Sequence, residues 1–552
     1  MTPNADAPVR IEDNSLTSPG GPAARRFALS RSDWCAMAAV ALVCAMAVYA
    51  GVPVLRGFEH DIFQVLGNAY RVCQGQVPHR DFSAAFGPLY FLIQAAGLTI
   101  SGMRPVGIAY ANALFGAVIA FWMYSTARGR TSGAAAVALS LYAVLLFTAP
   151  FSLGFTPVAF SFAMLCNRYC YAVLGIVLVE CGLQVLRTPD EEATGASRGF
   201  PLGVAWALLV FLKISYGMAA VPVLVLWACF GAGRRRRVLA CCAGFAVAAL
   251  VVLAYLRFDL ADLLRDLSYA ASGRSATWQP QTMVGSAVVR EGIPLLLLAA
   301  VWSFSAPPWQ RWRGWLFALL TVGLGGFLLS TNLQELSLPL DGLAAVVLLD
   351  SCLSRRGAAE TVQGPLRLLV FLLAAFCFLP LALMNGVSLA VADWQRYQGP
   401  AVGVARLHSE RGASIVFGPV WATKTSETGG AAYVEALNDG LDLLRSRTPA
   451  GEGVLTIDEC NPFNYLLGRP TPWGGMAVAL YNYTFSDAAH PTAARFFGDA
   501  RWVLVRKYSR AFEDFEGEDR PIQHLLATYR PELERDFRPV AETGHWVLWH
   551  RQ

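Results

Sequence analysis

The sequence predicts a polytopic α-helical membrane protein of about 11 transmembrane helices, with interfacial helices in its first outer loop and a soluble α/β domain at the C-terminus on the outer face. Three observations predict it. Hydrophobic residues make up 55% of the 552 positions and charged residues only 15%. The apolar residues fall in blocks close to the roughly 20 residues that cross a bilayer as helix. Arginines gather at alternate connections between those blocks, the asymmetry that sets helix orientation.

The elements follow in order. Residues 1–33 are rich in Pro, Ala, Ser and Arg without periodicity, which reads as a disordered cytoplasmic tail ending at Arg25, Arg26 and Arg31. The first span runs from about Trp34 to Leu55, too long for a signal peptide and so an uncleaved anchor. Further spans are expected at roughly 105–126, 132–150, 167–186, 199–215, 217–233, 238–256, 290–306, 314–330, 338–353 and 366–388. With a cytoplasmic N-terminus, Arg128, Arg130, Arg187, the run Arg234 to Arg237, Arg311, Arg313, Arg355, Arg356 and Arg367 all face the cytoplasm. Counting the short apolar segment from Gly87 to Ser101 as a crossing would push the later clusters outside, so it reads as an interfacial or re-entrant helix. The membrane part is therefore 34–388, with its first outer loop at 56–104. Residues 389–552 form the outer domain, with strand-like runs from Gly453 to Ile457 and Trp502 to Val505 and a helix-like stretch from Ala431 to Leu444.

Several function classes drop out. A net charge of +5, from 44 Lys plus Arg against 39 Asp plus Glu, is too balanced for a nucleic-acid binder. Most of the 12 cysteines lie in apolar runs, so no disulfide or zinc framework is expected. His490, His524, His545 and His550 have no ligand spacing, so no metal is expected. No dinucleotide fingerprint or phosphate loop occurs, so neither a cofactor nor a nucleotide-linked donor is expected.

The most informative stretch follows the first span. From Asp61 onward Ile62, Val65, Leu66, Ala69, Val72 and Cys73 recur at helical spacing with Gln64, Asn68 and Arg71 opposite, which predicts a helix lying on the membrane surface. Gly75 and Pro78 end it, Arg80, Asp81 and Phe82 follow, and Gly87-Pro88-Leu89-Tyr90 opens the next apolar segment. Asp61 and Asp81 thus sit at the two ends of one helix-turn unit at headgroup depth. Asp61 is a candidate general base; the plainer alternative is a helix N-cap. Asp81 is a candidate substrate-binding residue, or a turn residue paired with Arg80.

Asp61, then Gly75-Gln76-Val77-Pro78-His79-Arg80-Asp81-Phe82 and Gly87-Pro88-Leu89-Tyr90, resembles the first outer loop of GT-C-type glycosyltransferases, the superfamily of protein O-mannosyltransferases and the lipid A aminoarabinose transferase. The likeness covers about thirty residues and implies that Asp61 is the catalytic base and that the donor is a polyprenyl-phosphate-linked sugar. It departs where family loops often read Asp-Glu, here Asp61-Ile62, and Pro-Pro, here Gly87-Pro88. Glu59 and His60 could compensate for the first.

Leaving phosphate in a membrane interface calls for cations. Lys213, between two short apolar spans, is a candidate for the donor phosphate or a snorkelling lysine, and its segment looks like the Leu-Thr-Lys-Gly type of many such enzymes. Asn167 and Arg168 open the fourth span, with Tyr169 and Tyr171 as candidates to line a sugar site; the alternative is an interfacial aromatic belt with a snorkelled arginine. In the outer loop after Arg257, the stretch Ser272 to Ser275 should be mobile, Arg274 could reach the phosphate and Trp278 could stack on a sugar, unless the loop is merely solvated. Gln334 and Glu335 receive no role. Asp458-Glu459-Cys460 reads as a strand-to-loop junction.

The expectation is a membrane glycosyltransferase, and the resemblance implies that it inverts the anomeric carbon. It would move a sugar from polyprenyl phosphate to a hydroxyl of a glycan, glycolipid or protein, at the outer face of a bacterial inner membrane among membrane lipids. The rivals are a transporter or flippase of a lipid-linked glycan, against which the absence of repeated halves counts, and a non-catalytic envelope scaffold.

Overall fold

The computed structural model describes residues 29–56, 58–186, 198–231, 233–274, 280–331, 337–354, 365–399, 405–418, 430–507 and 521–552. Outside them lie most of the N-terminal tail and the expected cytoplasmic residues Arg187, Arg355 and Arg356, together with Trp278, Gln334 and Glu335.

Helices α1 (Arg31–Ala50), α2 (Asp61–Cys73), α3 (Pro88–Ile100), α4 (Gly107–Ala127), α5 (Gly133–Thr148) and α6 (Leu165–Val185) come first. Then follow α7 (Gly199–Leu212), α8 (Ile214–Cys229), α9 (Arg234–Tyr255), α10 (Leu260–Arg274), α11 (Pro280–Ala287), α12 (Ile293–Ser305), α13 (Arg311–Ser330), α14 (Pro339–Leu353) and α15 (Pro365–Gln398). Seven described stretches are long and apolar enough to cross a membrane: 31–50, 107–127, 165–185, 234–255, 284–305, 308–330 and 365–398. The chain is a multi-pass membrane protein. Helices α5, α7 and α8 are apolar but shorter, and each of the expected spans coincides with a helix. At 13 residues, α3 rises only about 20 Å, two-thirds of a hydrocarbon core.

Helix α6 is buried along its whole length at the centre of the bundle, whereas α9 and α15 leave most of their apolar surface for lipid. Basic side chains gather at one end. There Asp33 accepts from Arg128 at 2.7 Å and from the Tyr124 hydroxyl at 2.8 Å. Glu180 holds Arg130 and Arg198, and Arg313 donates to the Val185 carbonyl at 3.3 Å.

The opposite end carries a four-stranded sheet, order β1 (Val454–Ile457), β2 (Trp502–Arg506), β4 (Trp546–Arg551), β3 (Phe537–Glu542). The β1–β2 pair is parallel, Val454 facing Trp502, and the other two pairs are antiparallel. Helices α16 (Gly430–Arg447), α17 (Phe463–Leu467), α18 (Ala493–Phe497) and α19 (Pro521–Asp536) accompany it. The buried Trp546 indole donates to the Ala436 carbonyl at 2.6 Å, fixing α16 to the sheet. Helix α15 runs through to Gln398, ten residues past the expected end of the membrane part.

Two expectations change. Helix α2 forms as its periodicity requires, but it is not left on a membrane surface. Its polar face is roofed by the C-terminal part: Asn68 donates to the Ala477 carbonyl at 2.7 Å, and Arg71 to Gly474 at 2.6 Å and Pro472 at 3.2 Å. Polar side chains placed opposite an apolar stripe read as solvated, yet here they satisfy loop carbonyls instead. The second change is in the stretch expected to be mobile, which is helical as far as Arg274, with the Ser272 and Ser486 hydroxyls 2.8 Å apart.

Candidate active site

Helix α2 begins without a side-chain cap. His60 occupies the N-cap position with helical backbone angles. The Asp61 carboxylate bonds not to its own helix but to a segment 100 residues away, accepting from the Ser161 hydroxyl and from the Ala163 backbone. The N-cap alternative therefore does not describe this side chain. Asp61 is 1% exposed. Burial pushes its carboxyl above the usual carboxylate range, opposed by the His60 charge and the Ser161 and Ala163 donors. Two residues earlier, Glu59 is pushed up by the same cause, and its Oε1 has no hydrogen-bond partner among the described residues.

The C-terminal part reaches this point directly. His60 Nε2 lies 3.3 Å from Asp61 Oδ1 and 3.4 Å from Glu459 Oε2. Glu459 arrives at the end of β1, beside Asp458, which pairs with Arg506 at 3.1 Å. The approach is close enough that a β-carbon at Gly67 would sit 2.8 Å from the Asn461 carbonyl. Sequence reasoning placed the strand end correctly and gave Glu459 no role, because its neighbour lies about 400 positions back in the chain.

Lys213 stands in the break between α7 and α8, with extended backbone at φ −160°, ψ 116°. Its Nζ donates to Asn167 Oδ1 at 2.7 Å and lies 5.8 Å from the Phe86 ring centre. Phe86 meets Tyr90 edge-on at 5.6 Å, and the Asp61 charge acts on Tyr90 in turn. Gly87 is required beside Phe86: its N–H donates to the Leu212 carbonyl at 2.9 Å, and a β-carbon there would fall 2.0 Å from the Phe211 carbonyl oxygen. A proline at this place would have no N–H to give.

The structure disperses other candidates. Asn167 turns to Lys213, but Arg168 does not follow it, since consecutive helical residues do not share a face. Arg168 is fully buried and donates to the Phe151 carbonyl at 2.9 Å, the Leu146 carbonyl at 3.0 Å and Asn385 Oδ1 at 2.8 Å. It is neither at a lipid interface nor beside Lys213. Tyr169 and Tyr171 are equally buried, Tyr169 stacking on Phe147 at 4.1 Å. Asp81 receives both Arg80 Nε at 2.7 Å and Nη2 at 2.6 Å, and its Oδ2 accepts from Val77 N–H at 2.7 Å. Burial would raise its carboxyl, but these donors and the Arg71 charge hold it below the usual range. Arg274 closes α10, and its side chain, like all of Trp278, lies outside the described part.

A second cluster fastens α10. His79, in the left-handed region at φ 71°, lies with Nδ1 3.1 Å from Asp266 Oδ2, which also accepts from Ala84 N–H at 2.9 Å. Arg495 from α18 donates to the His79 carbonyl and to Ser83 Oγ, and reaches Asp262 and Asp266, both at 3.4 Å. No sequence pattern marked Arg495. Among the described residues no group of three or more His, Cys, Asp or Glu side chains could hold a metal ion.

No protein-family model matches the chain, and no curated protein does. Two solved structures of ArnT from Cupriavidus metallidurans, one bound to undecaprenyl phosphate and one in the apo state, are similar at 15% and 14% identity. Each covers 94% of this chain and 98% of its own, with a TM-score of 0.48.

Proposed function

We propose that the protein is a membrane glycosyltransferase of the GT-C type, moving a sugar from a polyprenyl-phosphate donor to a hydroxyl acceptor at the outer face of a bacterial inner membrane. The observation that carries this reading is Asp61. It is a buried carboxylate that caps nothing, held by donors from a distant segment at the start of a helix beside the membrane. In a water-poor site such a carboxylate is a base. The acceptor hydroxyl oxygen bonds to the anomeric carbon, its proton passes to Asp61, and the bond from that carbon to the phosphate oxygen breaks with its electron pair leaving on the phosphate. One such displacement inverts the anomeric carbon. Lys213, oriented by Asn167, is the cation for the leaving phosphate. Arg168 has no part in it.

In this reading the basic end of the bundle faces the cytoplasm and residues 389–552 form an outer domain. The test is transfer of radiolabelled sugar from polyprenyl-phosphate donors to membrane lipid, glycan or protein by the purified full-length protein. Label should reach an acceptor with the wild-type chain and fall by roughly 10² to 10⁴-fold with Asp61→Asn. Equal transfer by both would overturn the assignment of Asp61.

A further inference from the structure

We propose that His60 and Glu459 form a proton exit from Asp61, so that the C-terminal part of the chain completes the site with a residue of its own. This rests on the reading of Asp61 as the base. A base at a buried position faces a difficulty at the end of each turnover: the protonated carboxyl must lose its proton, yet burial favours the protonated form and no water reaches it freely. Ser161 and Ala163 both donate to this carboxylate. The imidazole is the basic neighbour.

The geometry supplies the route. The same His60 nitrogen, Nε2, lies 3.3 Å from Asp61 and 3.4 Å from Glu459. Side-chain exposure is 1% at Asp61, 31% at His60 and 14% at Glu459, so the proton passes from a sealed carboxylate to two groups that both touch solvent. With the resting proton on Nδ1, the Asp61 O–H bond breaks as the Nε2–H bond forms. The imidazolium then gives that proton to Glu459, which releases it to water. Asp61 is again a carboxylate and His60 again neutral, and no other reactant is consumed. Glu59 on the same segment, Asp458, Cys460 and Arg506 beside Glu459, Tyr433 of α16 and Tyr90 of α3 are the other titratable groups around the pair. Burial raises the Cys460 thiol well above its ordinary value, and Arg506 is committed to Asp458.

The experiment measures kcat against pH, in H2O and D2O, for purified full-length wild type, His60→Gln, Glu459→Gln and Glu459→Asp, using radiolabelled polyprenyl-phosphate hexose and pentose donors. Both Gln variants should lose about 100-fold in kcat, the lower end of what a positioned proton-transfer group contributes, with donor KM unchanged and a larger solvent isotope effect. Glu459→Asp should recover much of the rate. In His60→Gln the pH profile should change shape, because the imidazole nitrogen 3.3 Å from Asp61 that takes up its proton is gone. Wild-type kcat and pH profile in both Gln variants, with Asp61→Asn inactive, would overturn the exit and leave the base standing; an active Asp61→Asn would overturn both. Should His60→Gln fail to fold, the Glu459 pair of variants decides by itself.

Discussion

The Arg71 guanidinium donates to the Gly474 carbonyl at 2.6 Å with both groups buried, and so ties the helix that presents Asp61 to the C-terminal part of the chain. Burial depresses Arg71 to about 9, against the opposing charges of Asp81 and Asp499. The guanidinium is kept in place by the Gly474, Pro472 and Gln76 acceptors.

Replacing Arg71 by Met should therefore cost about 3 kcal/mol, the scale of a buried charge-assisted bond lost with its acceptors left unsatisfied. Thermal unfolding in detergent and limited proteolysis between α15 and β1 report it. Wild-type resistance to both would show that the apolar contacts around α2 suffice.

Asp61 gives a prediction about stability as well as rate. Its folded carboxyl is raised by burial, so the folded state holds the proton more tightly than the unfolded chain. The stability this contributes is fully present below the unfolded carboxylate value and is lost as pH rises through the raised one. Asp61→Asn should unfold at a higher temperature than wild type above that window and show little difference below it, while transfer collapses. Wild-type transfer rate should fall as pH drops through the same raised value. A variant that is less stable at neutral pH would mean that the ionised carboxylate is held favourably by Ser161 and Ala163.

Lys213 and Arg168 should behave oppositely. Lys213→Ala should weaken binding of polyprenyl phosphate more than it lowers thermal stability, because it removes the ammonium that Asn167 orients. Arg168→Ala strands the Phe151 and Leu146 carbonyls and Asn385, and should cost about 1–3 kcal/mol. Lipid binding by a titration in detergent, beside unfolding temperatures, separates the two. Loss of lipid affinity in a stably folded Arg168 variant would reverse the assignment.

Gly87→Ala places a methyl group 2.0 Å from the Phe211 carbonyl. The backbone must move there, since a carbonyl in a helix cannot swing aside as a side chain can. The variant should lose at least about 1–3 kcal/mol and lose transfer with it, because Phe211 leads straight into the break that holds Lys213.

Orientation is testable without any assay of transfer. Alkaline phosphatase fused at Gln552 should be active and at Arg235 inactive in the orientation we propose, with the basic end of the bundle in the cytoplasm. The reverse pattern would put Asp61 on the cytoplasmic side.

The helices and their ends were written locally. Apolar blocks of bilayer length predict helices wherever they occur, because an unsatisfied backbone cannot stand in lipid, and α1, α4, α6, α9 and α13 lie within a few residues of the expected spans. The period of α2, its stop at Gly75, and strands β1 and β2 depend likewise on near neighbours. So does the singling out of Asp61 and Lys213, whose cost in an apolar setting is visible in the sequence itself. What α2's polar face meets is another matter. Asn68 and Arg71, and Gln76 just past the helix end, could have faced water or carbonyls, and only the fold brings residues 471–477 over them. The same holds for Asn167 and Arg168, adjacent in sequence but 100° apart around a helix, of which one meets Lys213 and the other a sealed interior. Glu459 reaches His60 across about 400 residues of chain. No pattern of spacing carries such a contact, because it arises from two elements packed together and not from the local preference of either.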